Sequence, residues 1–403
     1  FPTSTGATAL SAVPATLNEG NYQQLLDLLE TCFVDDVREY FDLHQRCDPA
    51  YDFAQGQILT AGDRVVSHVQ VFHRQMGYGE DSIPYGGIGD VATHPDWREQ
   101  GLSARLLEQV IAYMDAQRLP LSILFAGRVS HYARHGWHEI PGMVVRAEVP
   151  EELPPVPGGI AIRAPLEDAT DLLELYERAM VGLVGPDRRT PEYMIGQTRW
   201  LPFQGEVRCE VYHQLGHPVG YLRTRVERGE LRVMDICASS EGLGRLVVIR
   251  VLHHAREAGC RRIQATFPSR SRLAAAFVEG TGSEREPGGH RMMRLNSLRG
   301  TLQQLEQTFA TRLRDPYPRP PFALNVGEES VRLEPRPRGV ALGKATGEEP
   351  AITIDAKLFL ELLMGQPGSH RSLTAGGDDA RSLAVLQRMF PESGNVSWPA
   401  DGF

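Results

Sequence analysis

Between Ile88 and Ala126 the spacing of apolar residues changes twice, and each change predicts an element. Ile88-Gly-Asp-Val-Ala-Thr93 is short, partly β-branched and stopped by Pro95, which predicts a buried strand. From Gly101 the apolar residues are Leu102, Leu106, Leu107, Val110, Ile111 and Met114, with Arg105, Glu108, Gln109 and Asp115 on the other side of a helix. Pro120 ends that helix, and Leu121 to Ala126 is the next strand. A connection of this length is a right-handed parallel crossover. Upstream, helical periodicity runs from Tyr22 to Tyr40 through Leu25, Leu26, Leu28, Leu29, Phe33 and Val37. Gln57 to Thr60 and Val65 to His73 predict strands around an Ala61-Gly-Asp63 turn. The first 16 or so residues, rich in Ser, Thr, Ala and Pro, predict a loose arm.

The same pattern returns after a Pro/Gly-rich linker, Pro150 to Gly159. Leu172 to Met180 predicts a helix, and Glu206 to Glu210, Val219 to Val226 and Leu231 to Cys237 predict strands. A helix through Leu246, Val247, Ile249, Val251 and Leu252 and a strand from Ile263 to Phe267 follow. Asp90-Val-Ala aligns with Asp235-Ile-Cys, and Gly101-Leu102 with Gly242-Leu243, so the crossover is repeated. A Pro-rich break, Asp315 to Pro321, precedes a tail with short strands at Val331 to Leu333 and Ala351 to Ile354. Its helices are Ala356 to Met364 and Leu383 to Phe390, the latter stopped by Pro391. The expected division is 1–150, 151–298 and 299–403.

Composition narrows the class. The chain has 403 residues, 41% hydrophobic and 23% charged, as in globular proteins with sizeable cores. No apolar run is long enough to span a bilayer, and no charged-then-apolar leader opens the chain, although a start at Phe1 leaves a removed leader open. A net charge of −9 argues against a nucleic-acid partner and favours cationic substrates. Five scattered cysteines, with no C-x-x-C pair, read as the reduced thiols of a cytoplasmic protein without structural zinc.

The chemistry lies in the loop Arg98-Glu99-Gln100-Gly101-Leu102-Ser103, which opens the first crossover helix. A helix start offers unpaired N–H groups and the positive end of a dipole to a phosphate, Gly101 permits close approach, and Arg98 adds a cation. The loop resembles the acetyl-CoA pyrophosphate loop of the GNAT N-acetyltransferases, Gln/Arg-x-x-Gly-x-Gly/Ala; Arg98 and Gly101 match, and Ser103 stands where the family has Gly or Ala. Gly87-Ile-Gly-Asp-Val-Ala92 fits a dinucleotide fingerprint, but it runs into Pro95 instead of a helix and is set aside. Downstream, Tyr132 and Gly136 keep the spacing of the family's closing Tyr-x-x-x-Gly-aromatic segment, with Trp137 as the aromatic. A half-buried packing residue is the alternative reading of Tyr132. His131, His135 and His138 lack the carboxylate of an H-E-x-x-H site, so no metal is expected.

In the second copy Ser239 stands at the place of Arg98 and Leu273 at that of Tyr132, so it is degenerate as a catalyst. One competent and one degenerate GNAT domain, followed by an α+β tail, resemble the Eis (enhanced intracellular survival) family, whose C-terminal domain is similar to sterol carrier proteins. The resemblance implies transfer of the acetyl group of acetyl-CoA to a primary amine of an aminoglycoside-like molecule, a polyamine or a lysine. It implies that the backbone of Val91, Ala92 and Thr93 pairs with the pantetheine arm. Glu99, Gln100, Gly101, Leu102, Ser103 and Ala104 would cradle the pyrophosphate, supported by Arg98, with Gly127 and Arg128 further along. It implies Tyr132 as acid, the α-carboxylate of Phe403 as base and a homo-oligomer, a hexamer in that family. Two other classes fit less of the chain: a tandem-GNAT aminoacyl or long-chain acyl transferase, and a non-catalytic lipid- or CoA-binding protein.

Overall fold

The crossover read from the sequence is the centre of the first of three sheets. The structure is a computed structural model and describes residues 11–33, 37–267, 272–314, 320–373, 380–393 and 395–402. The first stretch contains β1 (Val13–Thr16), α1 (Tyr22–Cys32), α2 (Val37–Cys47), β2 (Gly56–Ala61), β3 (Arg64–Tyr78) and β4 (Asp81–Thr93). It continues with α3 (Leu102–Ala116), β5 (Leu121–Phe125), α4 (Val129–Ala133) and β6 (His138–Glu139). β7 (Gly142–Glu148) closes the first stretch; the second holds β8 (Ala161–Arg163), α5 (Thr170–Met180), β9 (Val184–Asp187), α6 (Pro191–Trp200), β10 (Val207–Gln214) and β11 (His217–Glu227). β12 (Glu230–Ala238), α7 (Glu241–Glu257), β13 (Arg262–Thr266), α8 (Arg272–Thr281), β14 (Arg285–Gly288) and β15 (Arg291–Leu295) complete it. The tail has α9 (Leu298–Gln303), α10 (Glu306–Arg312), β16 (Phe322–Val326), β17 (Glu329–Arg336), β18 (Gly339–Lys344) and β19 (Ala351–Ile354). Helices α11 (Ala356–Leu363), α12 (Ser369–Ser372) and α13 (Ala380–Met389) follow.

The first sheet runs β1-β2-β3-β4-β5-β15-β6, with β9 added beside β3. The second runs β14-β7-β13-β12-β11-β10-β8, and the third β18-β17-β16-β19. Two copies of one order are visible, each antiparallel except for the crossover pair, β4–β5 and β12–β13. Between them the copies exchange a strand. β7 leaves the first stretch to pair with β13, and β15 leaves the second to pair with β5. A cut at 150 therefore parts β7 from both β13 and β14, and β5 from β15. The third sheet shares one apolar core with α11, α13 and the lower ends of β3 and β4, through Met76, Tyr78, Ile83, Leu324, Phe359 and Phe390.

Two sequence expectations are corrected. Within the arm expected to be loose, Val13–Thr16 pairs antiparallel with β2, and Pro14, which lacks an N–H, sits on the sheet's edge where none is required, while residues 1–10 lie outside the described residues. The single helix expected over Tyr22 to Tyr40 is two helices, because Phe33 is extended (φ −109°, ψ 149°). Both present their apolar faces, Leu25, Leu29 and Phe41 among them, to one core, which is why the periodicity reads through the break. The set-aside fingerprint, Gly87 to Ala92, lies wholly within β4.

Candidate active site

The site begins with an irregularity in β4. Gly89 pairs with Gln70 and Ala92 with His68, so Val69 on β3 faces both Asp90 and Val91. Such a bulge bends the strand and re-aims its backbone. Asp90 takes the left-handed conformation (φ 51°). Its carbonyl accepts from His68 Nδ1 (2.9 Å), and its carboxylate accepts from Gln45 Nε2 (2.9 Å). Burial pushes the His68 pKa down, which keeps that ring neutral. The β4–β5 ladder ends at Ile88–Leu124, while β4 continues to Thr93. Beyond Ile88 the ladder has a gap: the edge of Val91, Ala92 and Thr93 that faces away from β3 has no strand beside it among the described residues.

The loop that follows is fixed by three short contacts. The Thr93 carbonyl accepts from Arg98 Nε (3.1 Å) and Cys32 Sγ (3.3 Å), and Ser67 Oγ donates to the Ala92 carbonyl (3.0 Å). Glu99 (φ 63°) and Gly101 (φ 74°) are both left-handed, and the turn they make delivers the chain into α3. Gly101 is the N-cap and has no side chain to cap with, so the amides of Leu102, Ser103 and Ala104 lack intrahelical partners. A Cβ at Gly101 would meet nothing within 4 Å. Leu102 is buried and anchors the turn with Leu106 and Leu107, while Arg98, Glu99 and Gln100 face solvent.

Across the gap, α4 brings the closing motif to the same place. Ser103 Oγ lies 2.8 Å from His131 Nε2, joining the helix start to the neighbour of Tyr132. Tyr132 packs edge-to-face against His131 (5.1 Å) and Trp137 (6.4 Å). Trp137 is fully buried and donates from its indole N–H to Ser122 Oγ (3.2 Å). Burial raises the Tyr132 pKa, so the phenol keeps its proton at neutral pH. Gly136 (φ 86°) ends the short helix with the expected left-handed residue. Gly127 and Arg128 are exposed at the turn between β5 and α4. Of the His131, His135 and His138 set, His131 Nε2 lies against Ser103 Oγ, and no group of three or more His, Cys, Asp or Glu converges among the described residues.

A family model described as an acetyltransferase (GNAT) domain matches residues 14–140, the stretch that builds this site. Residues 14–140 thus form an acetyltransferase (GNAT) domain. A mycothiol acetyltransferase from Kytococcus sedentarius is 29% identical over 245 residues, 55% of this chain and 78% of that protein. The GCN5-related N-acetyltransferase from Anabaena variabilis has the same fold over 98% of this chain and 100% of its own, with a TM-score of 0.72 and 17% identity. Eis1 from Mycobacterium abscessus matches over the same shares, 98% and 100%, with a TM-score of 0.66 and 15% identity. The tandem GNAT architecture with a C-terminal α+β unit is thus that of Eis-like structures. No helix among the described residues is long and apolar enough to cross a membrane.

The second GNAT unit shows how such a site is lost. Ser240 caps α7, its hydroxyl accepting from the Leu243 amide (3.3 Å), so an orphan donor is already satisfied. The crevice at that helix start, about 290 Å³, is lined by Leu273 and by Trp398 of the tail. Trp398 is buried and donates to Met180 Sδ (3.3 Å). Asp235, the counterpart of Asp90, is neutralised by Arg223 Nε (2.6 Å) and Arg189 Nη1 (2.5 Å), which hold its carboxyl far below the ordinary range.

The tail's end docks as its apolar residues predict. Ala400 and Asp401 are buried; Arg189 donates to both Asp401 oxygens (2.7 and 2.9 Å), and Gln197 Nε2 to the Ala400 carbonyl (2.6 Å). Phe403 itself, assigned as base by resemblance, lies outside the described residues. Two side chains in the first unit that could otherwise serve as base are committed elsewhere: His94 Nε2 accepts from Arg64 (2.7 Å), and the Asp90 carboxylate accepts from Gln45. The sequence reading missed Asp187. Its carboxylate accepts from the Tyr85 hydroxyl at both oxygens (2.8 and 2.9 Å) and is buried beside the first sheet. Nothing in Val184-Gly-Pro-Asp187 marks it, because its importance comes from β9 pairing with β3 across the units.

Proposed function

We propose that the first GNAT unit transfers the acetyl group of acetyl-CoA to a primary amine carried by a cationic acceptor: an aminoglycoside-like molecule, a polyamine or a lysine. The observation that carries this reading is an uncapped helix start that follows the end of the β4–β5 ladder, with a protonated tyrosine across the gap. Acetyl-CoA supplies an acetyl group activated as a thioester. The open edge of Val91, Ala92 and Thr93 suits the pantetheine arm as an added strand would. The amides from Glu99 to Ala104 suit the pyrophosphate, with Arg98 as cation and Gly127 and Arg128 further along. These residues fit the group by chemistry: donors without acceptors, beside an open gap.

Acetyl transfer forms an N–C bond, breaks the C–S bond, takes a proton from nitrogen and returns one to sulfur. Tyr132 is assigned as the donor to the leaving thiolate. A phenol is a weaker acid than a thiol, so that transfer runs uphill unless concerted with C–S cleavage. The α-carboxylate of Phe403 is assigned as the group that takes the amine proton. Docking of Trp398 to Asp401 supports a held terminus. The three-unit division and a homo-oligomer belong to the same reading.

The test is thiol release from acetyl-CoA with a panel of an aminoglycoside, spermidine and a lysine peptide. A chain extended by two glycines after Phe403 is measured beside the wild type. Turnover with at least one amine, falling about 10²-fold in the extended chain, supports the assignments. Release with none of them sinks the acceptor class, and a loss below about threefold removes the carboxylate from the base role.

A further inference from the structure

Asp187 stands out when the buried charges between the first two sheets are paired off. Asp48 accepts from Arg74 Nη1 (2.9 Å), Asp401 from Arg189 Nε (2.7 Å), and Asp235 from Arg223 Nη2 (2.6 Å). Asp187 is buried as they are, yet among the described residues it has no guanidinium within hydrogen-bonding distance, only the single proton of the Tyr85 hydroxyl. An ionised carboxylate in such a place is costly unless a cation completes it.

Its surroundings say where that cation would come from. Asp187 faces a crevice, with room for about one water (about 10 Å³), together with Tyr85, Ile123, Phe125, Arg291 and Asp401. Ile123 and Phe125 lie two apart on β5, so they share a face. Phe125 is one residue beyond Leu124, the last residue of β5 paired to β4. The crevice therefore lies beside the point where the β4–β5 ladder ends, lined by Phe125, which is 43% exposed. An ammonium group is about the size of a water, and a carboxylate with an aromatic side chain lining the same crevice suits a cation.

We propose that Asp187 is an acceptor-binding residue: the crevice lined by Phe125 receives the primary ammonium group of the amine substrate, with the Asp187 carboxylate as counter-ion and Tyr85 holding it in place. This deepens the acetyl-transfer reading and rests on it for the identity of the ligand. No bond is made or broken at Asp187; its role is to bind and orient.

The groups facing Asp187 give the proposal a signature in protons. Burial and the Asp401 charge push its pKa up to about 7, against the pull of Arg74, the Tyr85 hydrogen bond and Arg189. Tyr176, which donates to the Asp187 carbonyl (2.7 Å), and Tyr193 have pKa values raised by burial and stay neutral. Arg291, across the crevice, is pulled down to about 10 by burial and stays cationic at neutral pH. A bound ammonium favours the ionised carboxylate, so at pH 7 its arrival must expel the proton that part of the population carries.

The experiment is calorimetric titration of the full chain, saturated with CoA, with spermidine in buffers of different ionisation enthalpy. Expected for the wild type is binding with net proton release near pH 7. Asp187→Asn, which keeps an acceptor for Tyr85, should bind at least tenfold more weakly and release none. Tyr85→Phe keeps the carboxylate but removes a hydrogen bond that lowers its pKa, so release should persist and move to higher pH. Unchanged affinity or unchanged proton release in folded Asp187→Asn overturns the proposal, as does a wild type that binds no spermidine. A wild type that binds with proton release yet transfers no acetyl group supports this site and sinks the transfer reading, which keeps the two separable.

Discussion

Gly101→Ala offers a test of the phosphate loop in which two effects can be separated. The residue sits at φ 74°, where an L-side chain costs about 1–2 kcal/mol in backbone strain. Its Cβ would meet nothing within 4 Å, so strain is the whole cost in the free protein. In the proposed site, the new methyl group would stand at the helix start whose amides are assigned to the pyrophosphate. Displacing the phosphates far enough to lose one charge-assisted hydrogen bond costs about 1.5–3 kcal/mol, or roughly 10- to 150-fold in affinity. Gly216→Ala is the control. It lies at φ 85° in the β10–β11 turn, again with nothing within 4 Å of the added Cβ, so it carries the same strain far from the loop. Thermal unfolding should show similar losses for the two variants. Calorimetry with acetyl-CoA should show a loss for Gly101→Ala only. Affinity within threefold of the wild type in folded Gly101→Ala, or equal losses in both variants, would mean that the pyrophosphate does not sit on this turn.

Three further outcomes follow from the geometry. Tyr132→Phe keeps the ring contacts with His131 and Trp137 and deletes the proton, so kcat should fall roughly 10²- to 10⁴-fold with acetyl-CoA binding intact; wild-type turnover would return Tyr132 to a packing role. Titration should give one acetyl-CoA per chain, because Ser240 caps α7 and Trp398 lines the second crevice, and a stoichiometry of two would refute this. Asp187 holds its proton more tightly folded (pKa about 7) than unfolded (about 3.9), so its contribution to stability is complete below about pH 4 and is lost as pH rises through 7. Asp187→Asn should therefore gain stability over the wild type between pH 4 and 8, by at most about 4 kcal/mol (three pH units at 1.36 each), and a gap that does not widen with pH would contradict the assignment.

What could be read from the sequence was whatever depends on neighbours along the chain. The β4–α3–β5 crossover, its repeat in β12–α7–β13 and the left-handed cap at Gly136 all rest on local period and turn chemistry, and all are present. The break at Phe33 escaped because α1 and α2 bury the same face, so the period carries through it. Residues 13–16 read as loose because their β character depends on the free edge of β2. Asp187 and the exchanged strands escaped for a stronger reason. Val184–Asp187 is a strand only because β3 is long enough to receive it, and Arg291–Leu295 completes a sheet whose strands from β1 to β6 lie more than 150 residues earlier. Sequence patterning records which face a residue shows, but not which distant edge it meets.

The exchange of β7 and β15 also sets a schedule for biosynthesis. When Phe125 leaves the ribosome, β5 has β4 on one side and bare edge groups on the other. Its second partner, Arg291–Leu295, is still some 170 residues away, roughly 10–30 s at ordinary elongation rates. Meanwhile β7 has been made and must wait for β13. The nascent first unit thus exposes two unpaired strands at once, the condition under which edges meet wrong partners. The proposed acetyl-CoA site, built on β4 and β5, gains its full support only when the second unit is nearly complete, so a chain released early would carry every residue of the loop on a sheet that cannot close.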